Sequence, residues 1–159
     1  MKTQKSQQSV SSITSNFSQT PSKVITYLKS QDGNKYLSKN FQVKEFRCGD
    51  GSDKILIDQK LVSLLQDIRN HFGKRVVINS AYRTNSYNKK IGGISTSKHL
   101  EGKAADIKVV GIKPIEVAKY AESLGVNGIG LYDTFVHVDT STNKYYWKNN
   151  GSNKVYTFK

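Results

Sequence analysis

The chain has three histidines, at positions 71, 99 and 137, and two of them stand in company that suits chemistry. The run Ser97-Lys98-His99-Leu100-Glu101-Gly102-Lys103-Ala104-Ala105-Asp106 sets a His and an Asp seven residues apart, with a Gly and two Ala between them. A turn of that composition entering a strand lets both side chains converge, because the small residues keep the backbone close. Phe135-Val136-His137-Val138-Asp139 alternates as a strand, so His137, Asp139 and Phe135 share one face while Val136 and Val138 take the other. If this strand lies beside Lys103 to Val110, His99, Asp106 and His137 offer two nitrogens and one oxygen to a divalent cation. Three ligands leave a fourth position for water, as in a catalytic rather than a structural zinc site. Zinc so held lowers the pKa of its water from about 15.7 towards roughly 7 and polarises a carbonyl, which is the chemistry of amide hydrolysis.

Other candidates are weaker. Cys48 is the one cysteine, so an internal disulfide and Cys-rich zinc fingers are excluded and any metal site must use His and carboxylates. His71 falls in the last turn of a helix, where the helix dipole favours positive charge, and it is assigned no ligand role. Asp133 reads as a solvated turn carboxylate. Tyr145, Tyr146 and Trp147 sit on a final hairpin and read first as core packing, with a groove for glycan or peptide as the alternative.

The elements that must position these residues follow from periodicity. Residues 1 to about 35 read as a polar, flexible leader with one docked turn near Val24 to Leu28, and the folded domain is expected over residues 36–159. Phe41, Val43, Phe46, Ile55 and Ile57 suggest short extended pieces around the Gly49-Asp50-Gly51-Ser52 turn. Asp58 can cap a helix with apolar positions Leu61, Leu64, Leu65, Ile68 and Phe72, closed by Gly73. Strands are expected from Arg75 to Ala81 and from Lys103 to Val110, and Pro114 opens a helix running to Gly125. Three short strands, Phe135 to Asp139, Tyr145 to Lys148 and Val155 to Phe158, complete an α+β fold with a small antiparallel sheet and flanking helices.

The same residues resemble the M15 zinc peptidases, the D-alanyl-D-alanine carboxypeptidase and L-alanyl-D-glutamate endopeptidase group acting on peptidoglycan stem peptides. The resemblance runs from about Leu37 to Trp147. Its most specific element, Ser-x-His-x-x-Gly-x-Ala-x-Asp, is complete here as Ser97, His99, Gly102, Ala104 and Asp106. Asn40-Phe41 with Glu45-Phe46, the helix ending Ile68 to Gly73, Ser80-Ala81-Tyr82-Arg83-Thr84, and Gly128-Ile129-Gly130-Leu131-Tyr132 before the His137 strand agree with it.

The resemblance implies a Hedgehog/D-Ala-D-Ala peptidase-like fold and Zn2+ held by His99, Asp106 and His137. It implies that Ser97 lies near the substrate and that Arg83 reaches the scissile carbonyl or a substrate carboxylate. A guanidinium suits an oxyanion role because it stays charged and presents a fork of donors. The family's dipeptidase and endopeptidase branches place a Glu three residues before the last ligand, where this chain has Thr134. Asp139 is the expected substitute as catalytic base, with orientation of the His137 imidazole as its other reading. Similar enzymes carry His-x-His at this point, and here the second position is Asp139.

Length and composition bound the partners. The chain has 159 residues, a net charge of +13, 36% hydrophobic and 10% aromatic residues. That composition excludes a wholly disordered basic tail, and the charge favours an anionic partner. Apolar runs fall well short of the ~18 residues a membrane span needs, and the first 25 residues carry no secretory signal pattern. The expectation is a monomeric zinc metallopeptidase of bacterial peptidoglycan, without nucleic-acid partner or membrane insertion. It would be made in the cytoplasm and act on the wall after release, as a phage or prophage lysin or a virion-associated enzyme. The alternatives are a nucleic-acid-binding domain, for which no motif stands, and a non-catalytic, zinc-stabilised wall- or virion-associated module.

Overall fold

A computed structural model describes residues 16–149 and 151–159. In chain order the elements are α1 (Asn16–Gln19), β1 (Val24–Leu28), α2 (Lys29–Asp32), a 3-10 turn (Val43–Phe46), β2 (Lys54–Asp58), α3 (Gln59–Phe72), β3 (Val76–Ser80), α4 (Asn85–Lys90), a second 3-10 turn (Lys98–Glu101), β4 (Ala104–Val109), α5 (Pro114–Ser123), β5 (Gly128–Leu131), β6 (Val136–Asp139), β7 (Tyr145–Lys148) and β8 (Asn153–Val155).

The central layer is a six-stranded sheet in the order β3-β4-β6-β5-β7-β8. Its inner face carries Ala105, Ile107, Ile129, Val136 and Val138, all buried. Against that core lie Leu61, Leu64, Leu65 and Ile68 of α3, the 3.6-residue stripe expected from sequence, and Val117, Ala118 and Ala121 of α5. Asp58 caps α3 by accepting the Lys60 N–H, and Gly73 ends it at φ 62°.

The sheet is mixed rather than wholly antiparallel, because β5 and β7 run parallel. Successive strands reverse direction, and β7 lies not beside β6 but beside β5, two strands earlier, so the two share a direction. The segment expected as extended at Val43 to Phe46 is a 3-10 turn with a Gln42/Glu45 capping box. The final strand ends at Val155 instead of Phe158. Phe158 packs separately on Tyr146, with its N–H bound to Glu122.

Within the stretch read as a leader, residues 1–15 lie outside the described residues, whereas residues 16–35 are packed on the domain. β1 pairs antiparallel with β2 from Val24↔Asp58 to Leu28↔Lys54, and Phe17 is buried. Two carboxylates fasten this part. Asp67 accepts the N–H groups of Asn16 and Phe17 at 3.0 and 2.8 Å. Asp58 accepts from Ser22 Oγ, Lys23 N and Thr140 Oγ1 at 2.7–2.8 Å. The docked piece expected at Val24 to Leu28 is strand β1, and the anchoring of residues 16–23 has no sequence signal because polar anchors have no periodicity.

Candidate metal centre

The site lies on the outer face of the six-stranded sheet, and strand register assembles it. Ser80 faces Asp106, Asp106 faces His137, His137 faces Gly130, and Gly130 faces Trp147. The neighbouring row holds Ala104, Asp139, Gly128 and Tyr145. Cross-strand partners share a face, so residues far apart in the chain meet here. The two glycines make room: a Cβ at Gly128 would strike the Asp139 carboxylate, and one at Gly130 would strike the Trp147 ring.

His99 arrives on the second 3-10 turn, whose N-cap Ser97 accepts the His99 N–H at 3.2 Å. Gly102 ends that turn at φ 73°, tight against the Leu56 carbonyl, where no side chain fits. The chain then enters β4, two residues before Asp106.

Three ligand-type atoms converge. The candidate donors of His99, Asp106 and His137 all lie within 4.8 Å of one another. His99 Nε2 is 3.3 Å from Asp106 Oδ1, and His137 Nδ1 is 3.1 Å from the same oxygen. Ligands bound at about 2.0–2.1 Å in a tetrahedron stand roughly 3.3 Å apart, so the spacing fits one small divalent cation. The side chains of Asp106 and His137 keep 12% and 11% exposure, which opens the trio to solvent, while His99 sits behind them at 3%.

The outer nitrogens are fixed. His99 Nδ1 donates to the Ala81 carbonyl at 2.6 Å, leaving Nε2 as a lone pair aimed at a carboxylate. His137 Nε2 donates to Asp139 Oδ2 at 2.8 Å, leaving Nδ1 towards Asp106. Both are the supporting bonds that metal-binding imidazoles make, one to a backbone carbonyl and one to a carboxylate. Burial pushes the His99 pKa down, overriding the raising effect of Asp106, so the ring is neutral. A lone pair and a carboxylate oxygen then face each other with no proton between them, a pairing that a cation relieves. Burial also opposes charge on His137, but the hydrogen bonds it donates to the Asp106 and Asp139 carboxylates and their negative charge outweigh it and raise the ring to about 9. For Asp106 and Asp139 burial acts upward, and bonds to the imidazoles hold both below the usual carboxylate range.

The expected residues therefore meet in one place, in different positions. Asp139 is on the far side of the His137 ring from Asp106 and also accepts the Ser141 N–H. Arg83 is locked by three bonds: Nε to Ser80 Oγ at 3.0 Å, NH1 to Asn88 Oδ1 at 3.2 Å and NH2 to Asp106 Oδ2 at 3.1 Å. Its backbone N–H also binds the His99 carbonyl, tying the two loops together. Cys48 is buried, its sulfur accepting the Thr84 N–H. His71 is remote from the trio, stacked on Tyr120 at 3.7 Å.

Two further residues take part, Asn88, which the sequence does not single out, and Trp147, whose first reading is core packing. Asn88 is 2% exposed and bridges Arg83 to the Ile94 carbonyl, with Gly93 packed on its amide. Nothing in a polar Asn-Ser-Tyr-Asn-Lys-Lys helix signals that burial. Trp147 lies 4.9 Å from the His137 ring and donates to Tyr132 Oη at 3.0 Å, whereas its neighbour Tyr146 is the core residue. Strand alternation at 145–147 was the available signal, since it separates Trp147 from Tyr146.

Comparison with known proteins agrees with this geometry. The family model described as Peptidase M15 matches residues 36–139, which include the whole His99, Asp106 and His137 trio. The probable peptidoglycan L,D-endopeptidase MepK of Haemophilus influenzae is 34% identical over 53% of this chain and 50% of its own length. The chain thus matches about half the length of that relative.

Proposed function

The chain belongs to the Peptidase M15 family, and from that premise we propose that it is a zinc-dependent peptidase hydrolysing an amide bond in the stem or cross-link peptides of bacterial peptidoglycan. The observation that carries the reading is the convergence of His99 Nε2, Asp106 Oδ1 and His137 Nδ1, with no proton donor between His99 and Asp106. The substrate class is supported by the similarity to a probable peptidoglycan L,D-endopeptidase.

Zinc held by these three residues supplies Lewis-acid polarisation of the scissile carbonyl and lowers the pKa of water. The protein's own groups do the rest. Asp106 presents one oxygen to the imidazoles and the other to Arg83, which keeps its carboxylate plane fixed. Three of the five guanidinium N–H groups of Arg83 are used within the site, and the other two are donors for a substrate carbonyl or carboxylate. Asp139 fixes the His137 tautomer, so in this reading it positions a ligand. Ser97 holds the turn that delivers His99 and borders the substrate side. Hydrolysis breaks the C–N bond and leaves a carboxylate and an amine.

We place the enzyme among wall-lytic proteins that are made inside a cell and act after release, with the +13 charge drawing it to anionic wall. The test pairs metal analysis with digestion of purified muropeptides followed by mass spectrometry. Wild-type protein should carry about one zinc per chain and release a peptide fragment, and His99→Ala should lose both while staying folded. Full digestion by His99→Ala or by chelated protein would refute the reading. Metal retention with no cleavage of any muropeptide would mark a non-catalytic wall module instead.

A further inference from the structure

A second site lies outside the metal centre. Lys29, Ser30, Gln31, Gly33, Asn34, Lys35, Lys44, Glu45 and Arg47 surround a concavity of about 600 Å3, within the usual size of a ligand site. Four cations against one carboxylate make it strongly positive. The cations are steadied by neutral groups: Lys44 Nζ by Asn34 Oδ1 at 3.0 Å, Arg47 by the Lys44 carbonyl at 3.1 Å, Lys29 Nζ by the Gly51 carbonyl at 3.5 Å, and Lys35 over the Tyr27 ring at 5.8 Å. The ion pairs of Lys and Arg among the described residues are Arg83–Asp106, Lys98–Glu101, Lys103–Glu101 and Lys119–Glu116, so none involves these four. Glu45 accepts the Gln42 N–H, and Asp53, which takes the N–H and hydroxyl of the lining residue Ser30, offsets part of the charge of Lys29. Lys29 shares the field of Asp53, while Lys35, Lys44 and Arg47 have no carboxylate partner in those ion pairs, so the hollow keeps a net positive charge that favours an anion.

We infer that this hollow binds a phosphodiester polymer of the cell wall and holds the peptidase on its substrate, an inference that rests on the peptidoglycan reading above. The lining contains no aromatic residue on which bases could stack and no large apolar residue to enter a lipid layer. A repeating anion without bases suits it better than single-stranded nucleic acid or a membrane surface. Arg47 of the lining is linked to the Arg83 loop through the buried contact of Cys48 with Thr84.

The test uses the full chain and the double variant Lys35→Glu/Lys44→Glu, neither residue belonging to the metal centre. Binding to poly(glycerol phosphate) is measured by titration, and retention on wall sacculi is measured before and after removal of their phosphodiester polymer. The wild type should bind the polymer, and the variant should bind at least about tenfold more weakly with a shallower salt dependence. Retention of the wild type should fall on stripped sacculi to the level of the variant. Equal binding by both proteins, unchanged retention on stripped sacculi, or tighter binding to an oligothymidylate of equal charge would overturn the inference. Hydrolysis of small soluble muropeptides should be the same for both proteins. If neither protein hydrolyses them while the binding difference persists, the peptidase reading fails and the anion site stands.

Discussion

Asp139 Oδ2 and His137 Nε2 are 2.8 Å apart, on the side of the imidazole ring opposite Asp106. A carboxylate there holds the ring and sets which nitrogen keeps its proton, and Gly128 leaves the space for it.

Asp139→Asn tests the two roles open to this residue. As a support for His137, its loss should lower zinc affinity or kcat/KM by roughly 10–100-fold, with the pH–rate profile unchanged in shape. A fall of 10³-fold or more with retained zinc and loss of the acid limb would make Asp139 the general base.

Asn88 is predicted to position Arg83 without touching metal. Asn88→Ala should keep its zinc, lose about 1–3 kcal/mol of stability from newly unpaired buried groups, and lower kcat/KM by about tenfold. Asn88→Asp keeps the acceptor for Arg83 while losing the donor to Ile94, so it should recover more of kcat than Asn88→Ala. Equal defects in both variants would assign the effect to the Ile94 loop instead.

Metal and proton compete for His137. Its metal-free pKa is raised to about 9, so below that pH a proton occupies Nδ1 and a metal must displace it. His99, held neutral by burial, contributes none. Zinc binding near pH 7 should release about one proton, and apparent affinity should rise about tenfold per pH unit up to pH 9. Calorimetry in buffers of different ionisation enthalpy measures this directly, and zero proton release would contradict it.

The C-terminal segment should loosen in acid. Burial is the largest single influence on Glu122 and raises its pKa, but the Phe158 N–H, the Thr157 hydroxyl, Lys144 and Lys159 together outweigh it and hold the group below its ordinary value of 4.5. A depressed carboxylate stabilises the fold above its unfolded pKa and loses that effect as pH falls through the folded one. Amide exchange corrected for intrinsic rates should therefore show Phe158 protection dropping below about pH 4.5 in the wild type, with little change in Glu122→Gln. A pH-independent protection in the wild type would refute the link.

Much of the fold was readable from local pattern. The α3 stripe from Leu61 to Ile68, its Asp58 and Gly73 ends, and the alternation that puts His137 and Asp139 on one face depend on near neighbours in the chain. The parallel β5–β7 pairing and the docking of residues 16–23 were not, because β7 passes over β6 to pair with a strand 17 residues back, and the polar anchors Asp58 and Asp67 hold partners 35 to 82 residues away.

By itself the sequence determined which side chains are available and which face each strand residue takes: two imidazoles, two carboxylates and a guanidinium, with glycines opposite them. Only the tertiary structure decided their division of labour. The β4–β6–β5 register puts Asp106 against one nitrogen of His137 and Asp139 against the other, and the 80–88 turn folds Arg83 back onto Asp106. The physical reason is that spacing along a chain sets direction, whereas a metal site requires distances of a few ångströms between residues separated by tens of positions, and only packed strands supply those.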